Sequence, residues 1–254
     1  MSIIKAWLTT DSIRFRVRAL KARLRDQRAE FDAIGRHLEP GDIACDIGAN
    51  KGSFVFWLSR WCRGGRVVAF EPQPQFAERL AAVCRDLELD NVTVEAKAVY
   101  SRSGAMDLFV PSGHSPGASL THKAVEAENF TTLSVPVVAL DDYFGEGDRV
   151  RLLKIDVEGA ELEVFKGAER ILRQHAPRAM VFQGPHTTLR WVGNEAHVTG
   201  RQSGHARVTL EARLFLEHEI PWEEIAFRTV RETLKHFFAC RQSGHYTLHC
   251  ADIA

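Results

Sequence analysis

Asp42-Ile43-Ala44-Cys45-Asp46-Ile47-Gly48-Ala49-Asn50-Lys51-Gly52 is the stretch that decides how this chain folds. Ile43 to Ile47 is an apolar run of strand length, and the glycines at 48 and 52 mark a turn. Phe54, Leu58 and Trp61 follow at helical spacing, so the whole reads strand, glycine turn, helix. Such a turn lets the backbone approach a ligand closely, and the helix after it offers its N-terminus. Two glycines at a strand-to-helix turn are also common in α/β proteins that bind nothing there, so this loop alone leaves both readings open.

The pattern repeats downstream. Gly64-Gly65 leads into Arg66 to Phe70, a second strand, and Phe76, Leu80, Val83 and Leu87 make a second helix. Val92 to Val99 reads as a third strand, Val150 to Asp156 as a fourth, Glu161 to Gln174 as its helix, and Ala179 to Phe182 as a fifth strand. Strands alternating with helices predict a doubly wound, mostly parallel sheet. Ala105 to Val110 and Leu133 to Val138 are also strand-like, and the polar stretch between them, with Pro111, Gly113, Pro116 and Gly117, is expected to be a loop over the site.

Upstream, Ile13, Val17, Leu20, Leu24, Phe31, Ile34 and Leu38 recur at steps of three and four, interrupted only at Gln27. They predict an amphipathic helix over 12–38. Its other face carries Arg14, Arg16, Arg18, Lys21, Arg23, Arg25 and Arg28, which is ordinarily a solvated face and otherwise a mark of an anionic surface or substrate. Pro40-Gly41 ends it. After Gln183 the alternation degrades, Arg-Gln-Ser-Gly-His occurs at 201–205 and again at 241–245, and Val208 to His218 and Trp222 to Phe238 read as helical. Two copies of five residues make no repeat architecture. The organisation expected is a helical segment over 1–40, an α/β core over 41–183 and a divergent segment over 184–254.

Across 254 residues, 33 Lys and Arg balance 33 Asp and Glu, which gives no argument for a nucleic-acid partner. The first ten residues lack the pattern of a signal peptide, and no apolar run approaches the roughly 20 residues of a membrane span. The five cysteines are scattered, with Cys45, Cys62 and Cys84 at core-facing positions, so a reduced, cytoplasmic protein without a disulfide framework is expected.

Glu71-Pro72 closes the second strand, the right distance after the glycine turn for a carboxylate to accept hydrogen bonds from ribose hydroxyls. Strand, glycine turn, helix, strand and terminal acid together favour a nucleoside ligand. A dinucleotide fingerprint would want a third glycine against pyrophosphate, whereas this loop begins with Asp46, a carboxylate suited to the ammonium and sulfonium side of S-adenosylmethionine. Asp156 ends the fourth strand, at the end of the sheet where an open parallel sheet binds its ligands, and Glu158 lies two residues on. The competing reading is that both acids cap the following helix.

Asp46 to Gly52, Val68-Ala69-Phe70-Glu71-Pro72, Asn91-Val92-Thr93-Val94, Val135-Pro136-Val137 with Leu140-Asp141, and Leu153-Lys154-Ile155-Asp156-Val157-Glu158-Gly159-Ala160-Glu161 resemble, in order and spacing, the FkbM family of methyltransferases. The resemblance covers roughly residues 30–182. It implies a Rossmann-like class I methyltransferase fold, S-adenosylmethionine as donor, and methylation of a hydroxyl on a sugar, polyketide or similar metabolite. The donor-binding set is then Asp46, Gly48, Asn50, Gly52, Ser53, Glu71, Pro72 and Ala98, and the catalytic pair Asp156 and Glu158. A small-molecule or glycan acceptor is expected, with no nucleic acid and no membrane span. The chain departs from the family after Phe182, where Gln183-Gly184-Pro185-His186 replaces a short acidic, histidine-containing run; Glu195-Ala196-His197 is a displaced candidate for it.

Two rivals stand beside this reading: a nicotinamide-dependent oxidoreductase using the same turn, and a noncatalytic partner that keeps the fold. Cys240, His245, His249 and Cys250 have zinc-like spacing without a paired C-x-x-C unit, and Asp141-Asp142 reads as an ordinary acidic turn, so no metal is expected.

Overall fold

A computed structural model of the chain describes residues 10–112, 117–120, 129–175, 177, 179–183, 187–192, 195–200 and 213–215. His114, His122, both pentapeptide copies and the Cys240 to Cys250 cluster lie outside the described residues.

The strands are β1 (Ile43–Ile47), β2 (Arg66–Phe70), β3 (Val92–Glu95), β4 (Ala98–Val99), β5 (Gly104–Pro111), β6 (Phe130–Val138), β7 (Val150–Ile155), β8 (Ala179–Gln183), β9 (Thr187–Val192), β10 (Glu195–Gly200) and β11 (Arg213–Phe215). The main sheet runs in the order β11-β10-β9-β8-β7-β1-β2-β3. β1 pairs in parallel with β2 on one side and β7 on the other, so the strand order reverses at β1. β3 and β8 extend the parallel part, and β9 to β11 continue the sheet antiparallel. This is the doubly wound α/β architecture that the alternating pattern predicts, with its crevice beyond the carboxyl ends of β1, β2 and β7.

Both faces of the central strands are buried, as a parallel sheet requires. Cys45, Ile47, Phe70, Leu153 and Ile155 pack against Val164 and Ile171 on one side, and Ala44, Val67 and Leu152 against Phe31, Ile34, Phe54 and Leu58 on the other. Cys45, Cys62 and Cys84 are free and buried, and burial pushes the Cys62 and Cys84 thiols up to about 12.

The helices are α1 (Thr10–Lys21), α2 (Arg28–Gly35), α3 (Val55–Trp61), α4 (Pro74–Asp86), α5 (Leu140–Tyr143), α6 (Glu161–Lys166) and α7 (Glu169–His175). No helix among the described residues is long and apolar enough to cross a membrane.

Four readings need correction. The single helix over 12–38 is two, separated by a π-helical turn over Ala22–Asp26 and by Gln27, whose φ of −140° is not helical. The wide turn rotates the register. Phe31, Ile34 and Leu38 point into the core as expected, but Ile13, Val17, Leu20 and Leu24 are exposed, and the face of α1 that packs is Ser12, Phe15 and Ala19. Phe15 meets the Phe56 ring edge-on at 6.0 Å, and Trp57 Nε1 donates to the Ala19 carbonyl at 2.9 Å.

Val92 to Val99 is also two elements, because Ala98 and Val99 find their backbone partners on β6, in a second sheet ordered β4-β6-β5. The helix after β7 breaks at Gly167, whose carbonyl accepts the Asp141 N–H at 2.8 Å. Arg213–Phe215, inside the stretch read as helical, instead pairs with β10 along the sheet edge. Exposed edge N–H and C=O groups template a strand whatever the local spacing suggests.

Candidate active site

A cleft opens at the strand-order reversal, lined by Gly48 and Asn50 after β1, Glu71 and Pro72 after β2, Ala98 on β4, and Asp156 and Glu158 after β7. Seven of the ten sequence-predicted site residues thus share one wall of space. Asp46, Gly52 and Ser53 do not line it.

Glu71 is 3% exposed, and both of its carboxylate oxygens are already fixed. The Asn50 N–H donates to Oε2 at 2.8 Å and the Gln73 N–H to Oε1 at 2.9 Å. A carboxylate oxygen has two lone pairs, so each can accept one further hydrogen bond. Burial is the largest influence on this carboxyl and raises it above the ordinary range, against the lowering effect of the Gln73 and Asn50 amides and of Lys154. Asn50 reaches Glu71 by adopting a left-handed φ of 48°, a conformation asparagine tolerates better than most side chains.

Gly48 has φ of 76°, and a Cβ there would lie 2.0 Å from the Asp156 carbonyl oxygen. The glycine therefore lets the β1 turn touch the β7 turn. Gly52 serves packing: a Cβ would meet Leu80 Cδ1 at 2.4 Å and Phe15 Cε2 at 2.8 Å.

Asp46 sits behind the cleft, fully buried, with Lys154 Nζ 2.9 Å from its Oδ1. The same ammonium is 3.3 Å from Asp156 Oδ2 and donates to the Gly48 carbonyl at 3.3 Å. β1 and β7 are in register at Asp46 and Lys154, which sets the pair side by side. Burial works to lower Lys154, but the carboxylates of Asp46 and Asp156 outweigh it and hold the ammonium charged above the ordinary lysine range. Burial raises the Asp46 carboxyl, with Lys154 opposing.

Asp156 is half-exposed at the mouth of this chain of charges. The helix after it begins at Glu161, with Ala160 in the capping position and no side-chain cap hydrogen bond from that residue. Asp141 is the residue that caps: its carboxylate accepts the Arg170 and Ile171 amides of α7 at 2.7 and 3.0 Å. The Asp142 carboxylate accepts the Ser103 hydroxyl. Their carboxylates are engaged in structure, as an ordinary acidic turn implies.

Three further residues act at or behind the cleft. Lys154 carries its own signal, since a lysine in an otherwise apolar strand marks a buried ion pair. Ser119, 2% exposed, donates to the Glu158 carbonyl and ties the segment from Ala118 to Leu120 across the cleft. Lys97 lines the cleft and pairs with Glu95 at 2.8 Å; nothing in the local pattern marked either.

A doubly wound sheet with a glycine turn and a buried strand-end acid at its reversal point defines a Rossmann-like α/β protein, a fold whose ligand crevice lies at that reversal. The family model described as methyltransferase FkbM domain matches residues 46–218, more than half of the chain, and the chain belongs to that family. Similar proteins include the hexuronic acid methyltransferase AglP of Haloferax volcanii, 33% identical over 167 residues that cover 63% of this chain and 66% of AglP. The 31-O-demethyl-FK506 methyltransferase FkbM of Streptomyces tacrolimicus is 29% identical over 162 residues, covering 53% of this chain and 62% of that protein. The chain thus spans less than two thirds of the length of these curated relatives. Among solved structures, methyltransferase FkbM from Methylobacillus flagellatus is 18% identical with a TM-score of 0.40, covering 71% of this chain and 47% of that one.

Proposed function

We propose that the chain transfers a methyl group from S-adenosylmethionine to a hydroxyl of a sugar, glycan or similar small metabolite. The observation that carries this reading is the placing of two carboxylates, Glu71 and Asp156, in one cleft at the ends of the strands flanking β1. Glu71 has its orientation fixed and acceptor capacity left over, which suits a pair of ribose hydroxyls. Gly48, Asn50, Pro72 and Ala98 complete the donor surface. Asp46 supports it from behind through Lys154, and Gly52 through its packing against Leu80 and Phe15.

When bound, the donor supplies an electrophilic methyl group on a sulfonium, which departs as a neutral thioether. Transfer is an in-line displacement, so the protein must align the acceptor oxygen and dispose of its proton. Asp156 does both: its carboxylate is held in place by Lys154 and accepts the hydroxyl proton as the new O–C bond forms. Glu158, half-buried beside it and tethered through its backbone to Ser119, orients the acceptor.

AglP is named for hexuronic acid, so uronic-acid-bearing glycans are the first acceptors to try. Incubation with methyl-labelled donor should give an alkali-stable methyl ether. An alkali-labile methyl ester would place the transfer on a carboxylate and overturn the hydroxyl reading.

A further inference from the structure

The outward face of α1 carries three large apolar side chains, Ile13, Val17 and Leu20, exposed by 45%, 58% and 43%, and Leu24, 69% exposed, extends the row into the π-helical turn that follows. Single exposed apolar residues are ordinary, but a contiguous row marks an interaction surface. Arg14, Lys21 and Arg25 each follow one residue after a member of the row, and all three are exposed. At about 100° per residue Arg14 and Lys21 lie along one flank of the α1 stripe, and Arg25 stands beside Leu24 in the turn that follows.

A second observation lies on that same flank. A cavity of about 180 Å³ opens between α1 and α4, lined by Arg14, Arg18, Lys51 and Arg79, with Asp11 the one acid on its wall. Arg18 is turned into place by donating to the Lys51 carbonyl at 3.0 Å. Four cations around one small cavity suit a phosphate-sized anion.

We propose that this face docks α1 onto an anionic phospholipid surface, with the stripe in the acyl boundary and the basic flank and cavity at the level of the phosphates. An apolar row beside cations is the pattern of a helix lying in a membrane interface, where long basic side chains reach to the headgroups. A second copy of the chain fits less well, because antiparallel pairing of α1 with itself brings the Arg14, Lys21 and Arg25 rows onto one side, where Asp11 and Asp26 offset only Arg14 and Arg25. Asn50 lines both this cavity and the donor cleft, so the docked surface lies at the edge of the site. The inference does not depend on the methyltransferase reading.

Flotation of the whole chain with vesicles tests it. Phosphatidylcholine vesicles containing phosphatidylglycerol should carry the protein upward, and pure phosphatidylcholine vesicles should not. The double variant Val17→Glu/Leu24→Glu should lower binding by about tenfold or more, as should Arg14→Glu/Lys21→Glu, since each basic residue near such a surface adds to the attraction. These side chains are exposed, so circular dichroism should match wild type. Failure to bind the anionic vesicles, or binding that survives Val17→Glu/Leu24→Glu, would overturn insertion of the stripe. Sedimentation showing a dimer in the absence of lipid, lost on the same stripe substitutions, would assign the face to a second copy instead.

Discussion

Lys154 and Asp46 form an ion pair at 2.9 Å, both nearly inaccessible to solvent, between strands that meet at the strand-order reversal. Two charges leave water there only because each neutralises the other, and Lys154 extends the pairing to Asp156 at the cleft.

Removing one partner strands the other. Lys154→Met should destabilise the fold by about 3 to 5 kcal/mol, seen as a lowered melting temperature, because Asp46 is left buried and unpaired. The double variant Asp46→Leu/Lys154→Met should recover a large part of that loss. A melting temperature near wild type for Lys154→Met alone would mean that the pair is not buried as described.

Gly48 is constrained twice, by its positive φ and by the Asp156 carbonyl. Gly48→Val should therefore lower folded yield and melting temperature, in addition to abolishing donor binding. A variant with wild-type melting temperature would separate the β1 turn from the β7 turn.

Glu71 gives a pH dependence with a definite sign. Its carboxyl is raised above the ordinary range, chiefly by burial, so the proton is held to higher pH in the folded protein than in the unfolded chain. Ribose hydroxyls donate best to the ionised carboxylate, so donor binding favours proton loss. Affinity for S-adenosylhomocysteine should rise with pH through that raised pKa and level off above it, with proton release detectable by calorimetry in buffers of different ionisation enthalpy. Glu71→Gln should flatten the curve; a curve unchanged by that substitution would place the titrating group elsewhere.

Asp156→Asn and Glu158→Gln keep size and remove charge. If Asp156 takes the acceptor proton, its variant should lose about 10² or more in kcat with donor affinity unchanged. Glu158→Gln should act more on KM for the acceptor. Near-normal turnover in both variants would remove the pair from the reaction.

The parallel core was legible because each of its signals is local: apolar runs of five residues, glycines at the turns, acids at the strand ends. Glu71 and Asp156 could be placed at one crevice from strand order alone. Asp46 could not, because position in the loop does not say whether the side chain faces the cleft or the strand beside it, and the register with Lys154 turns it inward. The N-terminal stripe misled for a related reason. Two helical rows run through α1, one of Ile13, Val17 and Leu20 and one of Ser12, Phe15 and Ala19, and periodicity detects both without ranking them. The smaller row packs inward, where Ala19 lets the backbone come within reach of Trp57. The split of Val92 to Val99 was hidden because the partner of Ala98 and Val99 lies some forty residues on, in β6.

Whether Glu71 holds the ribose of S-adenosylmethionine in this cleft is decided by calorimetric titration of S-adenosylhomocysteine into wild type and Glu71→Ala. The expected result is saturable heat with wild type and binding weaker by about 1.5 to 3 kcal/mol in a folded variant, the worth of hydrogen bonds to a charged acceptor. Equal affinity in the two proteins, or a response to NADH and none to S-adenosylhomocysteine, would contradict it.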